Sequence, residues 1–137
     1  MIKVSIQSDK QKNIISFTMK GHAMENRDVI LAGEAYDMVC NSTSVLSQSV
    51  IIGLDEVLNL NVNYEIGEGY LKLDLNGFTK EEIKKAQVLL KTFEKSLESL
   101  ILGLDMSLGK ETRCKYIKIK KEEVSWYVNN EPSIICS

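Results

Sequence analysis

Few residues in this chain can do covalent chemistry. Three cysteines, Cys40, Cys114 and Cys136, and one histidine, His22, stand among 137 residues. A thiol attacks as the thiolate and needs a base to take its proton. His22 is the sole imidazole that could act as that base. Among the thiols, Cys40 has the best address. Asp37 reads as a helix N-cap, which puts Cys40 in the first turn, where unpaired backbone N–H groups and the positive end of the dipole favour a thiolate. Plainer readings stand beside this pair: a lone cysteine near a helix start is commonly a small buried hydrophobe, and a lone histidine a surface or core residue. A metal site built from His22, Cys40 and Asp37 lacks a fourth protein ligand for structural zinc and a His-x-Glu or CxxC element for a catalytic one. No metal and no cofactor are expected.

The three thiols are odd in number and far apart in the chain, so neither a disulfide framework nor a zinc ribbon is expected. No dinucleotide-binding glycine fingerprint, P-loop or GxSxG elbow occurs. Lys+Arg 17 against Asp+Glu 19 gives a formal net charge of −2, which argues against nucleic acid as a partner. Lys118-Ile119-Lys120-Lys121 reads as a solvated strand end. A 44% hydrophobic, 26% charged composition with one proline is that of a globular domain. The length suits one core, expected over residues 1–121, with residues 122–137 as a tail. Apolar runs fall far short of the roughly 20 residues of a membrane helix, so no membrane association is expected. Met1-Ile2-Lys3-Val4-Ser5-Ile6 alternates like a strand rather than a signal peptide, so the expectation is a cytoplasmic protein with reduced thiols.

The elements that must position Cys40 and His22 follow from periodicity. Ile2, Val4 and Ile6, then Ile15, Phe17 and Met19, alternate with polar residues and predict two strands joined by a polar turn. Gly21-His22 closes the second. Residues 23–36 hold no period and read as a long loop, a candidate lid. Val39, Thr43, Leu46, Val50, Leu54 and Val57 predict a helix over residues 38–58. A hairpin follows, with Gly67-Glu68-Gly69 as its turn, and then a helix capped by Thr79 whose stripe runs from Ile83 to Leu104 and reads as a core face. Residues 113–119 predict a last strand, and Pro132 argues against a regular continuation. The order β-β-α-β-β-α-β predicts an α+β two-layer fold, a mixed sheet of about five strands with two helices packed on one face.

Gly21-His22-Ala23, then Asp37-Met38-Val39-Cys40, Ser44-Val45-Leu46-Ser47-Gln48 and Gly53-Leu54 resemble the ribosomal-processing cysteine protease family, Prp. The resemblance implies that Cys40 is the nucleophile and His22 its general base, with Asp37, Ser44 and Gly21 beside them. It also implies a cytoplasmic homodimer that removes the N-terminal extension of a large-subunit ribosomal protein, cutting after an aromatic residue. Backbone N–H groups at the helix start would then receive the oxyanion. The chain departs from the family pattern in a longer segment between His22 and Cys40, in Ala35 where a glycine is usual, and in Asn41-Ser42-Thr43 after the nucleophile. The alternative is a non-catalytic, ribosome-associated binding module in which Cys40 is merely packed.

Overall fold

Alternation in the first twenty residues builds two antiparallel strands, β1 (Ile2–Ser8) and β2 (Ile14–Lys20). The computed structural model describes the backbone of residues 1–21, 26–126 and 132–136, and the side chains of residues 1–21 and 38–124. The elements that follow are α1 (Asn26–Ile52), a π-helical turn (Gly53–Val57), β3 (Asn63–Gly67), β4 (Tyr70–Asp74), α2 (Lys80–Leu108), a short α3 (Lys110–Arg113), β5 (Ile117–Trp126) and β6 (Pro132–Cys136). The sheet order is β3-β4-β2-β1-β5-β6. All neighbours are antiparallel except β1 and β5, so the sheet is mixed, as expected.

The core lies between one face of this sheet and the two long helices. Val4, Ile6, Phe17, Leu73 and Ile117 meet Val39, Leu54, Leu90, Phe93 and Leu97 there. The rings of Phe17 and Phe93 lie 4.4 Å apart, tying β2 to α2. The stripe read on α2 is indeed a core face: Ala86, Leu90, Phe93, Leu97 and Leu104 are buried. Its start is fixed by a reciprocal cap, in which Glu82 N–H donates to Thr79 Oγ1 at 3.1 Å and Thr79 N–H to Glu82 Oε1 at 2.9 Å. Gly53 lets the end of α1 approach α2, because a Cβ there would stand 2.7 Å from Leu89 Cδ1.

Several expectations change. Residues 26–36, read within the loop, are the first turns of α1, so Asp37 lies inside the helix and is not its N-cap. The π-helical turn, closed by Leu58 N–H donating to Gly53 C=O at 2.9 Å, rotates the end of the stripe, and Val57 is exposed while Leu54 is buried. A register shift at the start of β2 brings Ile14 into the core cluster beside Phe17, while Ile15 is buried as well. The last strand begins at Ile117, because Arg113 ends α3 with its side chain ion-paired to Asp105 at 2.7 Å. That strand also continues to Trp126, and β6 adds a sixth strand from the segment expected as a tail. Pro132 is tolerated because it opens an edge strand.

Candidate active site

Cys40 sits in the interior of α1, half-buried. Its neighbours toward the sheet are small and polar. Thr43 and Ser47 are buried and return their hydroxyls to their own helix, Thr43 to the Val39 carbonyl at 2.9 Å and Ser47 to the Ser44 carbonyl at 3.0 Å. Such residues satisfy themselves locally and keep the helix surface flat beside the thiol. Ser44 lies one turn after Cys40 and is exposed, and its hydroxyl has no hydrogen-bond partner among the described residues.

This part of α1 faces the end of β2 and the β3–β4 hairpin across a cleft of about 230 Å³. Cys40, Ser44 and Gln48 line one wall. Ile2, Met19, Lys20 and Gly21 line the floor, and Ile66, Gly67, Gly69 and Tyr70 form the opposite wall. The cleft is therefore an apolar slot with a thiol on one side and hydroxyl and amide groups along the same helix. A larger cavity, about 570 Å³, lies on the other face of the sheet between Gln7, Thr18 and Phe78. It holds no thiol, so size alone does not locate the chemistry.

Gly21 is shaped by this site. Its φ is +71°, and a Cβ there would stand 2.8 Å from the carbonyl oxygen of Met1. Its N–H donates to the Gly69 carbonyl at 2.8 Å, so the end of β2 is fastened to the hairpin turn. Only glycine combines that backbone conformation with that closeness. The next residue, His22, lies outside the described residues, as do residues 23–25 of the candidate lid.

Of the residues singled out in the sequence, Cys40, Ser44 and Gly21 thus line one cleft. Asp37 precedes Cys40 by three residues on the same helix; its side chain is outside the described part. One expectation fails outright. Cys40 is far from the start of α1, and inside a helix the backbone N–H groups are taken up by carbonyls one turn back. The helix start therefore does not supply oxyanion donors to Cys40. The hairpin wall was missed as well: Gly67-Glu68-Gly69 reads locally as a turn, and its approach to α1 is a long-range contact. Among the described residues there is no group of three metal-ligating side chains and no helix long and apolar enough to cross a membrane.

No curated protein sequence matches the chain significantly. Three solved structures show the same fold. The crystal structure of SMU.848 from Streptococcus mutans is 24% identical, with 90% of this chain and 95% of that chain covered and a TM-score of 0.67. The essential ribosomal processing protease Prp from S. aureus in complex with a substrate peptide is 16% identical, with coverages of 89% and 100% and a TM-score of 0.66. The same S. aureus protease with a covalently linked product peptide is 19% identical, with coverages of 89% and 100% and a TM-score of 0.58. The sequence model of the cysteine protease Prp family matches residues 1–105, which carry β1 through nearly all of α2 and every described wall of the Cys40 cleft. A match of that extent is more than a shared motif: the chain belongs to the Prp family and is a cysteine protease.

Proposed function

We propose that the protein is a cysteine endopeptidase that cuts an extended peptide held in the Cys40 cleft, with Cys40 as nucleophile and His22 as general base. The observation that carries this reading is the half-buried thiol on the wall of an open, largely apolar slot, with Gly21, the residue before His22, on its floor. His22 takes the Cys40 proton as sulfur attacks the scissile carbonyl carbon. The C–N bond then breaks as the imidazolium protonates the leaving amine, and water activated by His22 hydrolyses the thioester. Ser44 offers a free hydroxyl one turn from the sulfur as a donor to the oxyanion, a task the helix start cannot perform. Asp37 orients His22.

The S. aureus relative is a ribosomal processing protease, solved with a substrate peptide and with a covalently linked product peptide. On the family resemblance, the substrate here is the N-terminal extension of a large-subunit ribosomal protein, cut in the cytoplasm by a homodimer. The experiment is to incubate the wild type, Cys40→Ala and His22→Ala with the extension peptide. Cys40→Ala should abolish cleavage, and His22→Ala should slow it by about 10²–10⁴-fold, the usual worth of a general base. Alkylation near neutral pH should label Cys40 before Cys114, and more slowly in His22→Ala. Cleavage by Cys40→Ala would sink the reading and favour a binding module.

A further inference from the structure

The long helices cover one face of the sheet, and strand register fixes what the other face presents. Tyr70, Lys20, Lys3 and Lys118 are successive partners across β4, β2, β1 and β5, so they stand side by side in one row. All three lysines are exposed. Among the described residues none of them makes an ion pair. In the next row stand Lys72, Thr18, Ser5 and Lys120, and the one acid in either row is Glu65, opposite Lys72 on the edge strand. Lys120 is turned to Glu122 at 2.9 Å, whereas the Lys20 ammonium lies 6.0 Å from the centre of the Tyr70 ring.

Like charges directly opposite one another destabilise a sheet, and Lys3 has such a neighbour on each side. An anion laid across the row removes that repulsion. We propose that this strip docks single-stranded RNA, with Lys20, Lys3 and Lys118 on successive phosphates and Tyr70 as a face for a base. The strip contains no arginine, so it lacks the fork that grips carboxylates in pairs and offers point charges suited to a phosphate backbone. An aromatic ring at its end adds stacking, which an acidic peptide would not use. An open sheet face with aromatic and basic side chains is a common way of holding unpaired nucleotides.

The net charge of −2 pointed away from nucleic acid because it sums over all faces. Register separates them. Within Lys118-Ile119-Lys120-Lys121, Lys121 turns to Glu94 and Glu98 on α2 and Lys120 to Glu122, which leaves Lys118 free to join the row. Lys20 and Tyr70 also border the Cys40 cleft, so RNA on the strip passes its mouth, and the protease would be held on RNA while it cuts.

The test uses the full chain and a fluorescein-labelled oligouridine of about 12 nucleotides, followed by anisotropy. Three phosphate contacts predict a log–log salt slope of about −2, a loss of affinity of about 20-fold between 50 and 200 mM salt. In Lys3→Gln/Lys118→Gln the slope should fall to about −0.7. Lys3→Arg/Lys118→Arg should keep the wild-type slope. Neither residue lines the cleft, so the glutamine pair should cleave peptide at the wild-type rate. Cys40→Ala should bind RNA like the wild type, which keeps this inference separate from the protease reading. No anisotropy change with the wild type, an unaltered slope in the glutamine pair, or equal affinity for an acidic peptide or an anionic vesicle would overturn it.

Discussion

Gly21 joins the end of a strand to the sole histidine, and it is held in a conformation that side chains resist. Adding a methyl group requires either that φ leave +71° or that Met1 retreat from a 2.8 Å contact. Gly21→Ala should therefore cost about 1–3 kcal/mol of stability. It should also lower kcat/KM more than stability alone explains, since the segment carrying His22 starts from this residue. Thermal unfolding and peptide cleavage at a temperature where the variant stays folded separate the two effects. At this scale much was legible in sequence. The three-residue step from Asp37 to Cys40 and the four-residue step to Ser44 are visible in any helical reading, and Cys40 and Ser44 do share a cleft. The partners across the cleft were not legible, because Ile66 and Tyr70 reach it through the pairing of β3, β4 and β2 rather than through any local pattern.

Elements fared unevenly, for physical reasons. The second long helix shows itself through its stripe and its capping residues, both local. The first turns of α1 lack a stripe: Asn26-Arg27-Asp28 is polar and charged, and Gly33 disfavours a helix, so the sequence reads as loop where the backbone is helical. The register shift in β2 is another feature invisible locally, and a distant side chain supports it. Gln87 on α2 is buried and accepts from the Ile14 N–H at 2.7 Å while its amide donates to the Ile14 carbonyl at 3.0 Å, taking the place of a neighbouring strand. Gln87→Leu keeps the volume roughly but leaves both groups of Ile14 without partners. It should destabilise by about 2 kcal/mol. The denaturant midpoint should fall with little change in the slope m.

Across the whole molecule, polar side chains tie strands together on the face away from the helices. Ser16 donates to Gln7 at 2.6 Å, Gln7 donates to Glu122 at 3.3 Å, and Lys120 pairs with the other oxygen of Glu122 at 2.9 Å. The Lys120 hydrogen bond, and then that from Gln7, hold the Glu122 carboxyl below its ordinary value of 4.5 even though burial pushes the other way. A carboxyl lowered on folding stabilises the protein above its unfolded value, and that support is lost as the pH falls through the folded value. Glu122→Gln should therefore be less stable than the wild type near pH 7, with the gap narrowing below about pH 4.5. Urea midpoints of both proteins across that range check the sign. A gap that widens in acid would contradict it.

The one parallel pairing sets a timetable for the enzyme. β1, from the start of the chain, takes β5 from its far end as its partner, and Ile2 N–H donates to the Tyr116 carbonyl at 2.8 Å. Ile2 is also part of the floor beneath Cys40. A chain emerging from the ribosome thus has Cys40 and the hairpin outside before the strand that braces the floor has been made, and pairings so distant in sequence form slowly. The floor beneath Cys40 would therefore be braced only after Ile117 and the strand it opens have been added.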